Sequence, residues 1–181
     1  MIRFYFDLAN RCYKYYSTSK NQSAARADCR KDQADLYSWR DNADENELIT
    51  ALLIAQTKNQ INVNEQEYAW SSGIVHHGSD IDYAVTWLDP KAPTLQHPNM
   101  KNTANIGFCN QMTVFGYDGY TEPTQIIRAD ETEDCISFVF VPQTNSRGQV
   151  CLADDYCSTE MNYICEFSKQ SNLSNKTFDF N

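Results

Sequence analysis

The chain begins with a short aromatic segment that gives way to helical spacing. Residues 13–16 are aromatic at period two and predict a short strand, and the polar residues over 17–22 predict a turn. Residues 23–31 are rich in good helix formers, which predicts a first helix. The positions expected on its inward face are Ala24, Ala25 and Cys29.

A second helix is predicted after another short strand. Residues 35–39 alternate like a strand, and the acidic residues Asp41, Asp44 and Glu45 mark a helix start. The helix is predicted over 43–55, because its apolar positions form one face. Those positions are Leu48, Ile49, Leu52, Leu53 and Ala55.

The second half of the chain has no helical pattern. From residue 67 onwards, aromatic and β-branched segments alternate with Gly, Pro, Asn and Asp, which indicates strands and loops. The strongest predicted strand is 135–141, followed by a turn over 145–148, whereas 90–132 is predicted to be a long loop with little regular structure. Two helices followed by a loop-rich β half indicate an α+β architecture.

Composition and charge narrow the possible partners. The length of 181 residues is typical of one domain, and we expect a domain over 1–168 with a flexible polar tail over 169–181. Hydrophobic residues make up 41% and charged residues 22%, which excludes a disordered chain. The net charge of −9 argues against nucleic acid or an anionic membrane surface, and no apolar run is long enough to span a bilayer.

Seven cysteines indicate the compartment. None are spaced as Cys-x-x-Cys, so disulfides explain them better than a zinc or redox site. We therefore expect a secreted or extracellular protein with one cysteine left over. Residues 1–16 lack the apolar centre of a secretory signal, so that signal is expected to be absent from this sequence.

Several short segments follow one another in a specific order: Cys12-Tyr-Lys-Tyr-Tyr16, Cys29, Asp35-Leu-Tyr-Ser-Trp39, Asp41 to Glu47, Val85-Thr-Trp-Leu-Asp-Pro90, Glu133-Asp-Cys135 and Tyr163-Ile-Cys-Glu166. Their order resembles a C-type lectin-like domain over about residues 4–167. The resemblance implies an α+β fold with two helices, small antiparallel sheets, a long ligand-binding loop and disulfide staples.

The resemblance also implies how the cysteines pair. It joins Cys29 to Cys165 and Cys135 to Cys157, and each bond closes a long loop. Three cysteines lie outside that pattern: Cys12, Cys109 and Cys151. Cys109 and Cys151 are expected to pair with each other, which would fasten the long loop to the scaffold. The alternative pairs Cys12 with one of them.

In the family, a calcium ion in the long loop binds sugar directly, and the resemblance carries part of that site to this chain. Glu122-Pro123-Thr124 stands where the family has the mannose-type Glu-Pro-Asn, with Pro123 as a cis hinge. Glu133 matches the third ligand position, and Asp154 matches the last. Thr124 offers only a short hydroxyl, and Ala153 supplies no side-chain oxygen. The candidate ligand-binding residues are Glu122, Thr124, Glu133 and Asp154.

The metal-ligand set has two open alternatives. Carboxylates are ligands that calcium prefers, so Glu122, Glu133 and Asp154 are the expected set. A shift of one residue in the alignment adds Asp155, although the spacing to Cys157 argues against that shift. The competing interpretation treats these acids as a solvated acidic surface with no bound metal.

The function expected from the resemblance is recognition rather than catalysis. The chain is expected to bind glycans or glycoproteins weakly, with calcium assistance and mannose-type selectivity, and not to be an enzyme. The main alternative is a calcium-independent domain that presents the long loop, with Tyr117 and Tyr120, to a protein receptor. A third alternative, a structural matrix or mineral-associated protein, is supported only by the acidic composition of the chain. His76 and His77 are expected on an exposed loop, and glycosylation motifs occur at Asn21, Asn172 and Asn175.

Overall fold

The computed structural model describes residues 6–8, 11–39, 67–77, 83–88, 95–97, 109, 127–128, 130–141 and 149–167. The predicted second helix, the predicted turn over 145–148 and the predicted tail all lie outside these residues. The elements in chain order are β1 (Phe6–Leu8), β2 (Arg11–Lys20), α1 (Gln22–Lys31), β3 (Asp35–Leu36), β4 (Glu67–His77), β5 (Tyr83–Thr86), β6 (Leu95–His97), β7 (Ile127–Arg128), β8 (Glu131–Thr132), β9 (Cys135–Val141), β10 (Gln149–Asp155) and β11 (Met161–Phe167).

The strands form one large sheet and one small ribbon. The large sheet runs in the order β1-β2-β11-β4-β5-β6, with β9 paired to β4, β10 paired to β9 and β3 paired to β11. Neighbours are antiparallel except β11 and β4, which are parallel at Asn162–Ala69 and Tyr163–Trp70. The family resemblance implied only small antiparallel sheets, whereas this parallel pairing joins β11 and β4 in one large sheet. Strands β7 and β8 form the separate ribbon.

Strand β4 connects two parts of this sheet because its register shifts between Trp70 and Ile74. Before the shift it pairs with β9 and β11, and from Ile74 onwards it pairs with β5, with one further pair to β9 at Ile74–Cys135. Gly73 lies in the irregular segment, where the backbone passes close to buried side chains. The Trp70 indole is fully buried, and its Nε1 donates to the carbonyl oxygens of Lys20 and Thr159 at 2.8 and 3.2 Å.

Helix α1 confirms the first predicted helix, starting one residue earlier than expected. Asn21 is its N-cap, and its Oδ1 accepts a hydrogen bond of 2.9 Å from Ala24 N. Ala25 and Cys29 are buried as predicted, and Gln22 replaces Ala24 as the further inward residue. The helix therefore packs on the sheet through one small-residue face.

Three disulfides staple the fold. Cys29 bonds to Cys165, which fastens α1 to β11, with the Cα atoms 5.4 Å apart. Cys135 bonds to Cys157 with Cα atoms 5.1 Å apart, and Cys109 bonds to Cys151 with Cα atoms 4.9 Å apart. These are the same pairs that we expected, and the alternative that joins Cys12 to Cys109 or Cys151 is wrong. The side chain of Cys12 lies outside the described part.

A buried lysine and its partners connect strand β2 to helix α1. Lys14 is fully buried, forms an ion pair with Asp32 and lies over the Tyr16 ring, 4.3 Å from its centroid. The Tyr16 hydroxyl donates to Asp32 Oδ2 at 2.6 Å, and the Tyr16 ring stacks on Tyr163. A buried charge needs such partners, so this group ties β2 to the end of α1.

Three local predictions differ from the structure. The predicted turn over 17–22 is wrong at 17–20, where β2 continues because Met161 of β11 pairs with Lys20. The predicted strand over 35–39 is regular only at Asp35–Leu36. His76 is exposed as expected but lies on β4 and not on a loop, with its Nε2 2.7 Å from Thr86 Oγ1.

Candidate functional site

The hairpin of β9 and β10 positions the acidic candidates at one end of the sheet. The two strands pair in unbroken antiparallel register from Cys135–Asp155 to Val141–Gln149. Asp154 lies opposite Ile136, and Asp155 lies opposite Cys135. Since adjacent strand residues point to opposite faces, Asp154 and Asp155 leave the hairpin on different sides.

Two of the predicted ligand carboxylates are almost entirely removed from solvent. Glu133 is 7% exposed and Asp154 is 4% exposed, although acidic residues are rarely buried in proteins. Glu133 lies just before β9, and Asp154 lies near the end of β10. Both acids, 21 residues apart in sequence (154 − 133), therefore lie at the same end of the β9–β10 hairpin.

The electrostatics of this region affect the pKa of Asp155. Ser137 Oγ donates to its Oδ2 at 2.6 Å. The pKa of Asp155 is raised to about 6, first by burial and then by the negative charges of Glu133 and Asp154. The hydrogen bond from Ser137 acts in the opposite direction. The neighbourhood of Asp155 is therefore one in which negative charge is costly.

Ala153 lies in an apolar setting rather than facing a ligand. It is 2% exposed and belongs to a buried cluster with Cys109, Val139 and Cys151, against which Tyr68 packs. The Cys109–Cys151 disulfide is the centre of this cluster. Ala153 therefore contributes to apolar packing around that disulfide and supplies no ligand oxygen.

Two polar residues that the sequence analysis did not single out hold the site in place. Ser137 is fully buried on β9 and binds Asp155. Glu131 accepts a hydrogen bond of 2.9 Å from Ser158 N and a second from Ser158 Oγ, which fixes the turn after Cys157. A polar residue within the apolar run 135–141 was the available signal for Ser137.

The donor chemistry at this end of the sheet suits a hard cation, since carboxylate oxygens are the ligands that calcium prefers. Glu133, Asp154 and Asp155 supply such oxygens. Among the described residues, however, no three His, Cys, Asp or Glu side chains are grouped closely enough to hold a metal ion. Glu122, Pro123 and Thr124 lie outside the described residues, so the structure does not place the third expected ligand.

Sequence comparisons find no relative. No protein-family model matches the chain, and no curated protein matches it either.

Structure comparisons do find similar folds, each over nearly the whole chain. The C-type lectin domain of murine dendritic cell inhibitory receptor 2, solved in complex with N-glycan, has 17% identity and a TM-score of 0.53, covering 91% of this chain and 96% of that one. A Ca²⁺-independent C-type lectin from Saxidomus purpuratus has 15% identity and a TM-score of 0.54, covering 92% of each chain. A Ca²⁺-dependent type II antifreeze protein in its Ca²⁺-free form has 16% identity and a TM-score of 0.52, covering 91% and 97%.

These likenesses establish the C-type lectin-like fold for this chain. The same fold serves a glycan-bound receptor, a calcium-independent lectin and an antifreeze protein, so it does not determine the ligand.

Proposed function

We propose that this chain is an extracellular recognition domain that binds glycans weakly with the assistance of calcium. The expected ligand is a mannose-type vicinal diol. Glu122, Glu133 and Asp154 are the proposed metal ligands, Thr124 contributes a further oxygen to the sugar, and Asp155 is a fourth acidic neighbour. The three disulfides support the extracellular location, because such bonds persist in oxidising compartments.

The observation that carries this proposal is the burial of Glu133 and Asp154 at one end of the sheet. Both raise the pKa of Asp155, so their charges act on the same small region. Burying several acids together is unfavourable unless hydrogen bonds, a cation or a proton compensates their charge. A divalent ion at this end of the sheet would supply such compensation.

A bound calcium ion would offer coordination positions that two adjacent sugar hydroxyls fill. The residues of the chain have separate tasks around it. The carboxylates of Glu133 and Asp154 bind the ion and accept hydrogen bonds from the hydroxyls. Ser137 holds Asp155 by its hydrogen bond, and the Cys135–Cys157 bond joins the two ends of the hairpin that present Glu133 and Asp154.

Calorimetric titration with calcium tests the metal site. Extracellular modules bind calcium with a Kd of about 0.1–1 mM, so titration to about 10 mM saturates a site of this class. We expect Asp154→Asn and Glu133→Gln to weaken binding by about tenfold or more, since each removes a charged ligand. Asp130→Asn is the matched control, because Asp130 is exposed and carries the same charge nearby.

Equal, small losses in all three variants would mean that these acids act only through the overall negative charge and do not hold a metal ion. Glycan-array binding then tests the ligand. We expect binding to disappear with a chelator and in Glu122→Gln. Glycan binding that survives both treatments would contradict calcium assistance while leaving glycan recognition intact.

The second candidate is calcium-independent recognition of a protein. The packing of Ala153 in the apolar cluster favours this candidate, because Ala153 stands at a position that binds the ligand in the family and is here part of the hydrophobic core. This candidate predicts no heat of calcium binding, no glycan-array signal, and capture of a specific receptor that calcium does not affect.

A further inference from the structure

One sequence motif has a structural setting that the proposed function does not use. Asn21-Gln22-Ser23 matches the acceptor pattern for N-linked glycosylation and lies where β2 ends and α1 begins. Asn21 is partly exposed, and Ser23 is exposed. The other two motifs, at Asn172 and Asn175, lie outside the described residues.

The two polar atoms of the Asn21 side-chain amide have different roles. Its Oδ1 accepts hydrogen bonds from Ala24 N at 2.9 Å and from Ser23 Oγ at 3.0 Å. Within the part of the chain that the structure describes, Nδ2 donates no hydrogen bond. The helix cap therefore needs only the oxygen, and the nitrogen is available for a covalent bond.

We infer that Asn21 is an N-glycosylation site whose modified side chain still caps helix α1. In the transfer, Nδ2 attacks C1 of an oligosaccharide carried on a lipid diphosphate. An N–C1 bond forms, the C1–O bond to the diphosphate breaks, Nδ2 loses one proton, and the lipid diphosphate leaves. The product remains an amide, so Oδ1 keeps its lone pairs for Ala24 N and the cap survives.

Neighbouring contacts fix the backbone at this position and leave the modified atom outside the core. Gln22 is buried, its backbone N–H donates to Cys157 O at 3.2 Å, and its Nε2 donates to the carbonyl oxygens of Ser71 and Gly73 at 3.1 Å. Gln22 thus anchors the start of the helix without help from the Asn21 side chain. A glycan at Nδ2 displaces none of these contacts.

The inference uses the extracellular location in the proposed function but not the calcium site. The full chain is expressed behind a secretory signal in mammalian cells, and glycopeptides are mapped by mass spectrometry. We expect wild type and Ser23→Thr to carry a glycan at Asn21, and Ser23→Ala and Asn21→Asp to lose it. Ser23→Ala keeps the Asn21 cap, and Asn21→Asp has an equally good cap. We therefore expect both variants to fold, so that loss of the glycan results from loss of the acceptor motif and not from misfolding.

Enzymatic removal of the glycan provides a second measurement, since peptide N-glycosidase converts the linked Asn to Asp. We expect the unfolding midpoint to stay the same or rise, because Asp is also a strong N-cap. Transfer precedes export, so chain recovered from inside the cells gives the same answer if secretion fails. An unmodified Asn21 amide in wild-type chain from either source overturns the inference and leaves the calcium proposal unaffected.

Discussion

Gly73 occupies the point at which β4 changes partners, and a side chain has no room there. A Cβ at position 73 would lie 2.7 Å from Ile136 Cβ and 2.8 Å from Trp87 Cζ3. Ile136 and Trp87 are both buried, so neither moves away easily. We expect Gly73→Ala to lower the free energy of unfolding by about 1–3 kcal/mol, the usual cost of overpacking. Urea unfolding measures the change, with His76→Ala, an exposed position on the same strand, as the control. An unchanged midpoint in Gly73→Ala would show that β4 can shift.

Asp28 is a second residue with a measurable individual effect. Its carboxylate forms ion pairs with Lys20 and Lys31 and accepts a hydrogen bond of 2.8 Å from the Tyr163 hydroxyl. The hydrogen bonds from Lys20 and then Lys31 hold the pKa of Asp28 well below its ordinary value of 3.8. A lowered pKa in the folded state means that the ionised form stabilises the fold. That contribution is present above pH 3.8 and is lost as the pH falls toward the folded-state pKa.

We therefore expect Asp28→Asn to lower the free energy of unfolding by about 1–2 kcal/mol at pH 7, since hydrogen bonds to charged groups are lost. The difference from wild type should shrink as the pH falls below 3.8. Urea unfolding from pH 7 to pH 3 measures it, and Glu160→Gln is the control because Glu160 is exposed. A difference that stays constant across this range would mean that the Asp28 charge contributes nothing.

One side chain caps the first turn of helix α1. Asn21 caps it, and no acidic residue lies in that turn. In unglycosylated protein we expect Asn21→Ala to lose about 1 kcal/mol of stability and Asn21→Asp to lose none. The negative charge of Asp is favourable at a helix N-terminus, so a gain of about 0.3–1 kcal/mol is expected at low salt. Thermal unfolding at low and high salt measures both. Equal losses in the two variants would show that Asn21 contributes through contacts other than the cap.

Local pattern explains which elements could be predicted from the sequence. Helix α1 has good helix formers and a cap residue directly before it. The β9 segment is apolar except for Ser137, so its predicted bounds agree with Cys135–Val141. The continuation of β2 through Lys20 was missed because it depends on a partner strand more than 140 residues later, at Met161. Ser17 and Ser19 have the composition of a turn, and pairing with β11 outweighs that preference.

Some features of the whole molecule cannot be predicted from any short segment of the sequence. The parallel pairing of β11 with β4 and the complete burial of Lys14 both arise from chain segments far apart in sequence. The candidate site has the same origin. Glu133 and Asp154 were predicted from a family resemblance, and both are buried at one end of the β9–β10 hairpin, but binding of a metal by them remains a prediction. The partner of Ser137 could not be predicted, because Asp155 becomes adjacent to it only through the pairing of β9 with β10.

The disulfides provide a test of how the whole molecule supports the proposed site. Cys109–Cys151 closes 42 residues that include Glu122 and Glu133, whereas Cys29–Cys165 closes 136 residues and fastens α1. Chain entropy predicts that removing these bonds lowers stability by about 4 and about 5 kcal/mol, respectively. We expect only Cys109→Ala/Cys151→Ala to raise the calcium Kd, by about 3–10-fold, because the segment with Glu122 then has to be ordered on binding. Calorimetry on both double variants, under conditions where each is folded by circular dichroism, measures this difference. An equal rise in the calcium Kd of both variants would mean that the effect comes from lower overall stability. An unchanged Kd in both variants would mean that the Cys109–Cys151 bond does not support the calcium ligands.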